Sequence, residues 1–489
     1  MTKTGERFWI TILALAVWVG AASAQQKDPR VNPPAAAQQP LPSKESSSKA
    51  SQEGSSTAAT EASSATPDSR PLSGAEQFTL GQMGRTRSYI LVSGDFFETA
   101  DSNSDVKGSG TNFDIVSSFA GRVELHRVWS RYELKTNYIG GGSVYKDNAG
   151  LDSIFHQFGI TQKIVWPRWT LKFKDYLGYL PESSFGFLGA NFGLAGTGVN
   201  VANANALSNL ANVNPVFIPN ETIFTVHASR FSNTLLGEVE YKVSPRSSFT
   251  ATGSHAILHF SGASFVNSKN AVFRTGYNHD FTARDSLAVT YGFSRFWFEG
   301  GRTQNIDDHS FQVAYGRRLT GRLALQLSAG PEIYSLSDAV RGPGRQYTWT
   351  AQSGLTYRFP RSYLVVSYAT YVAGGSGVLN GSQNHQVQMT LTRQLSRMWA
   401  SSLDTGFARN TALQGTTTQI HTAFNTWYGG LSLSRPLGRH TNVVFDYYMQ
   451  RQTTTTDAPC ITQGVCSSSL LRHHFGVGFN FHSRPYLLE

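Results

Sequence analysis

LRHHFGVGFNF, residues Leu471–Phe481, lies almost at the C-terminus and alternates residue by residue. Phe475, Val477, Phe479 and Phe481 take every second position, and His474, Gly476, Gly478 and Asn480 fill the positions between. A period of two belongs to a β-strand with one apolar face and one polar or very small face. In a soluble sandwich the apolar face packs on a core and the polar face meets water. In a barrel that spans a membrane, the apolar face meets lipid and the polar face lines the interior. The aromatics on the apolar face favour the barrel, and the rest of the chain decides.

The N-terminus carries an export signal. Lys3 and Arg7 supply the charge, Phe8–Gly20 the apolar run, and Ala22-Ser23-Ala24 a small-residue cleavage site, so residues 1–24 read as a signal peptide. The run is too short to span a bilayer as a helix. Gln25, not Cys, follows the cut, so the lipoprotein pattern is absent. No other long apolar run exists in the sequence, and an exported chain of this kind crosses a membrane as a barrel or not at all.

Residues 25–85 are rich in Ser, Ala, Gln and Pro and poor in aromatic and β-branched residues. Such a segment cannot offset its ordering entropy, and a disordered tail is expected. From residue 86 the composition turns to Gly, Thr, Ser and aromatics. Over the whole chain aromatics are 12% and charged residues 15%, against about 25% charged in an average soluble domain. The mean hydropathy of −0.27 is not that of a helical membrane protein; it suits a barrel whose interior and loops cancel its lipid face.

Short turn signals punctuate this region. They fall at Trp129-Ser130-Arg131, Val165–Arg168, Val243–Arg246, Thr282–Asp285, Leu319-Thr320-Gly321, Phe359-Pro360-Arg361, Leu395-Ser396-Arg397 and Pro436-Leu437-Gly438, and from the third onward recur roughly every 36 to 44 residues. Each interval holds two strands and one longer polar loop. Leu323, Leu325 and Leu327 alternate with Ala324, Gln326 and Ser328; Val387, Met389 and Leu391 alternate with Gln388, Thr390 and Thr392. Trp129, Trp166, Trp169, Phe359, Tyr363 and Trp399 crowd beside the turns, where an interfacial girdle belongs. The expected fold is therefore all-β: a closed antiparallel transmembrane β-barrel of about 18 strands (16 to 18) over residues 86–489, its first and last strands pairing to remove the edges.

This pattern, over residues 86–481, resembles the porin-like outer-membrane β-barrels of bacteria. The alternating aromatics of Phe475, Val477, Phe479 and Phe481 are similar to the terminal strand that the barrel assembly machinery reads in those proteins. Here, however, eight residues follow Phe481, whereas the terminal strand of those proteins usually ends on its last Phe. The resemblance implies the outer membrane of a Gram-negative-type bacterium, lipid and lipopolysaccharide around the barrel, short turns in the periplasm, and passive diffusion of small hydrophilic solutes; a homotrimer is one assembly it allows. The alternatives are an export pore for an exopolysaccharide or similar polymer, and a structural or adhesive surface barrel.

Several stretches could carry chemistry. On the presumed interior face of the second to fifth strands stand Arg122, Glu124, Glu133, Lys135, Lys163, Lys172 and Lys174. Pore-lining charges of this kind tune which ions pass, and the plainer reading is that they pair with one another. The longest loop, Pro181–Glu221, has no charge from Ser183 to Asn220 and carries Phe185, Phe187, Phe192, Asn203 and Asn205. It resembles the inward-folding third loop of general porins, without the acidic residues usual there; the other reading is a loop covering the rim. Exposed to water, its aromatics would form a large apolar patch, which favours insertion as a constriction. Cys460 and Cys466 in the last long loop suit a local disulfide in an exported protein. No metal or cofactor is expected, and basic residues are too dispersed for nucleic acid. Ser254 and His255 are adjacent and so face opposite ways on a strand, and no enzymatic activity is expected.

Overall fold

The structure is a computed structural model. It describes residues 71–77, 87–104, 113–182, 213–225, 228–262, 265–299, 303–338, 342–413, 422–455 and 469–488. All of these belong to one compact unit, Ala62–Glu489. Residues 1–24, the pair Cys460 and Cys466, and the loop positions Phe185, Phe187, Phe192, Asn203 and Asn205 lie outside the described residues.

The first nine strands are β1 Tyr89–Asp101, β2 Asp114–Val128, β3 Tyr132–Tyr145, β4 Ser153–Val165, β5 Trp169–Leu180, β6 Arg230–Ser244, β7 Ser247–Phe260, β8 Asn267–Asp280 and β9 Asp285–Glu299. The next nine are β10 Thr303–Thr320, β11 Leu323–Asp338, β12 Gly342–Arg358, β13 Ser362–Ala373, β14 Ser382–Gln394, β15 Ala400–Ala412, β16 Ala423–Pro436, β17 Thr441–Thr454 and β18 Ser469–His482. Each pairs antiparallel with the next, and β18 pairs with β1 from Ser93↔His482 to Asp101↔His474. The sheet is closed, so no edge is left for another chain to extend.

Period-two sequence becomes two-faced wall. In β18, Phe475, Val477, Phe479 and Phe481 stand 47–54% exposed on the outside, while His474 and Asn480 are buried inside. The same holds around the barrel: Val92, Phe96, Phe119 and Val123 point out, and Asp95, Ser118 and Arg122 point in. A belt of exposed apolar side chains over a closed, hydrogen-bonded sheet is the form that lets strands cross hydrocarbon. Polar groups on this outer face find each other. Tyr138 bonds His156 at 2.8 Å, Tyr291 bonds His309 at 2.9 Å and Tyr447 bonds His473 at 3.0 Å.

The eight expected turn positions all join strands at one end of the barrel. The aromatics beside them form the girdle, with Arg127 over Trp129 at 4.9 Å and Arg435 over Trp399 at 5.6 Å. The residues beyond Phe481 also have a place. After β18 the chain bends at Ser483, whose amide donates to the Val92 carbonyl at 2.8 Å. A two-residue strand, β19 Tyr486–Leu487, then pairs with Ile90 and Tyr89. The extension thus finishes the seam along the start of β1, which β18 alone does not reach.

The expectation of a loose tail through residue 85 does not hold for Pro71–Gln77. Leu72 and Ala75 are buried against the barrel interior, and Glu76 forms an antiparallel bridge with Val213. These residues have no period of two and share the tail's composition, so nothing in the sequence marks them off from it.

Candidate functional site

The sequence-predicted charged residues come together on the inward wall. Strand register sets Glu133 beside Lys163, Lys163 beside Lys172, and Lys172 beside Glu238. One step along, His126 adjoins Lys135, Lys135 adjoins Thr161, and Thr161 adjoins Lys174. Two rungs of charge therefore cross five neighbouring strands, because residues on one face of a sheet meet their cross-strand partners at close range.

His126, Glu133, Lys135, Lys172, Lys174 and Glu238 on these rungs are paired. Glu133 lies 2.9 Å from Lys135 and 3.1 Å from His126. Lys172 donates to Glu238 at 2.9 Å and lies 3.6 Å from Glu76, and Lys174 also donates to Glu76. Arg122 and Glu124 belong to neighbouring networks: Arg122 lies 3.6 Å from Asp95, and Glu124 accepts from the Tyr89 hydroxyl at 2.5 Å. Lys135 stays 40% exposed to the interior, whereas Lys172 and Lys174 are largely covered.

Three described segments cross the interior. Val213–Thr225, the end of the long loop, is held on one side by reciprocal bonds between Asn214 and Gln352 at 2.8 and 3.0 Å. Further along, Asn220 donates to Asn410 at 2.9 Å and Asn384 donates to Thr222 at 3.0 Å. The Phe224 main chain exchanges bonds with the Gln452 side-chain amide at 2.7 and 3.0 Å. Phe217, Ile223 and Phe224 are buried against the wall. The described part of the loop therefore lies inside the barrel.

The second segment, between β13 and β14, was not anticipated. Gly377 and Gly381 adopt φ of +84° and +83°, which only glycine takes without strain. They let the chain fold in until Val266 donates to the Gly377 carbonyl at 2.9 Å. The third segment is Pro71–Gln77.

Residues missed in the sequence complete the networks. Arg472, fully buried, donates to Asp101 at 2.5 to 3.1 Å and to Glu182 at 2.8 and 3.3 Å. Asp95 takes a bond from Asn480 as well as facing Arg122, tying β1 to β18. Arg472, Asp101, Asp95 and Asn480 are polar members of alternating strands, so their inward orientation is readable in the sequence but their partners are not. Ser254 faces inward and His255 outward, so they do not meet. Among the described residues, no group of three or more His, Cys, Asp or Glu side chains is placed to hold a metal ion.

No protein-family model matches the chain, and no curated protein matches it. Several solved structures are similar to it at low identity. The outer-membrane protein OpdK of Pseudomonas aeruginosa is 9% identical, with a TM-score of 0.39 over 81% of this chain and 99% of that one. OccK2 (OpdF) of Pseudomonas aeruginosa, solved with glucuronate, is 10% identical, with a TM-score of 0.41 over 82% of this chain and 98% of that one. OccAB3 of Acinetobacter baumannii is 9% identical, with a TM-score of 0.40 over 81% of this chain and 99% of that one.

Proposed function

We propose that this protein is a bacterial outer-membrane channel for the passive diffusion of small hydrophilic solutes. The observation that carries the reading is a closed wall of eighteen long strands with a polar, charge-bearing inner face. About 8 strands leave an interior that wall side chains fill, whereas 16 to 18 leave room for water. An adhesive barrel needs no such interior. Polymer export needs a clear track, and three segments crossing the lumen oppose that.

In this reading residues 1–24 direct export and the apolar belt faces lipid and lipopolysaccharide. Phe475, Val477, Phe479 and Phe481 present the closing strand to the barrel assembly machinery, and Cys460 and Cys466 join to pin the last loop. Arg122, Glu124, Glu133, Lys135, Lys163, Lys172 and Lys174 line the passage, which the long loop narrows. Intact mass of the outer-membrane form should show a chain starting at Gln25 and two hydrogens lighter than the dithiol; free thiols after export would remove the disulfide from this account.

The test of the channel is permeation. Purified protein in liposomes should admit small sugars and amino acids and exclude oligosaccharides with increasing length, and planar bilayers should show discrete steps. A folded barrel that passes neither ions nor sugars would end the proposal.

A further inference from the structure

Pro71–Gln77 lies in a seat shaped for it. Leu72 fills an apolar pit formed by Ala288, Ala314 and Ala324, on β9, β10 and β11, in a wall that is otherwise mostly polar. A β-carbon at Gly316 would stand 2.9 Å from Leu72, so the wall is kept small beneath it. Ser73 receives and returns hydrogen bonds with the Asn278 amide at 2.7 and 3.1 Å. The Ala75 amide donates to Glu238 at 2.7 Å, and Glu76 reaches Lys174 and Lys172. Asn278, Ala288, Ala314 and Ala324 all lie within a few residues of the short turns, so the seat is at that mouth of the barrel. The segment also touches the in-folded loop, through Asn214 donating to the Ala75 carbonyl at 2.8 Å.

We propose that the inner wall of β5 to β11 is a docking groove for the chain's own Pro71–Gln77, and that this segment is a tethered gate. Docked, it narrows the passage at the short-turn mouth, with Glu76 seated on Lys172 and Lys174. Undocked, it opens the mouth and returns both lysines to the passage. Its holds are non-covalent, and the pit, the Asn278 pair and the lysine pair each engage one residue of the segment. This proposal rests on the channel reading given above.

Single-channel conductance of the full chain tests it against four variants: deletion of residues 71–77, Glu76→Lys, Lys174→Glu, and the last two combined. Folding is checked by heat-modifiable migration on gels. The deletion and each single substitution should raise conductance roughly two-fold or more, since flux follows the open cross-section. The charge-swapped pair should return it towards the unaltered value, because the contact is remade with opposite signs. Equal conductance in the unaltered chain, the deletion and the single variants overturns the gate and leaves the channel. Conductance in none of them overturns the channel reading itself. Failure of all the variants to fold overturns the gate, since the segment would then be a fixed part of the barrel core.

Discussion

Arg472 sits inside the stretch that identifies the fold, yet its role depends on a residue 371 positions away. Its guanidinium, buried with Asp101 and Glu182, ties β18 to β1 and both to the foot of the long loop. Removing one member of a buried charged set leaves the others uncompensated and costs about 3–5 kcal/mol. Arg472→Ala should therefore lower the denaturation midpoint of the folded barrel in detergent, and Arg472→Lys should recover part of it by restoring the charge without the two-pronged geometry. Equal midpoints for all three forms would mean that water already screens Asp101 and Glu182. From sequence, Arg472 could be assigned to the inner face but not to a partner: strand parity gives the direction of a side chain, and only register gives its neighbours.

At the scale of elements, the same distinction separates what was legible from what was not. Strand limits and turns could be read because lipid on one side and water on the other impose a period of two, from Tyr89 at the start of β1 to Phe481 one residue before the end of β18. The charged rungs could be read as far as their face. The in-folded segments follow no period: residues 213–225 are held by scattered side chains such as Asn220, Asn410 and Gln452, and residues 374–381 by bonds to their main chain from Val266 and Leu413, pairings set by the closed barrel. The closing strand supports a direct test. Phe479 and Phe481 pair across the seam with Phe96 and Gly94 and face outward beside them. Burial of each phenyl in an apolar environment is worth about 1.5–3 kcal/mol. Phe479→Ser with Phe481→Ser should strongly reduce the heat-modifiable, membrane-inserted form, whereas truncation after His482 removes the Ser483 bond to Val92 and the β19 pairing and should leave most of it. Normal insertion of the double Ser variant would show that the sheet closes without these anchors.

At the scale of the whole molecule, the channel proposed above makes the charge on the two inner rungs a test of which ions pass. Lys135, Lys163, Lys172 and Lys174 give four positive charges; Glu133, Glu238 and the docked Glu76 give three negative ones, a net of +1. Two unit charges about 4 Å apart near a protein surface interact by roughly 4 kcal/mol, so a single uncompensated charge beside a narrow path is felt by every ion that passes. The pore should therefore prefer anions weakly. Glu76→Gln raises the net to +2 and should move the reversal potential in a KCl gradient further towards the chloride value. Lys172→Gln with Lys174→Gln removes two positive charges and, by releasing Glu76 from its seat, one negative charge, so the net falls to 0 and the preference should vanish. Both shifts should be clear near 0.1 M salt, where the screening length is about 10 Å, and should largely vanish near 1 M, where it is about 3 Å. A preference that survives 1 M salt unchanged would place its origin in the width of the passage, and a double Gln variant with an unaltered reversal potential would place these lysines off the ion path.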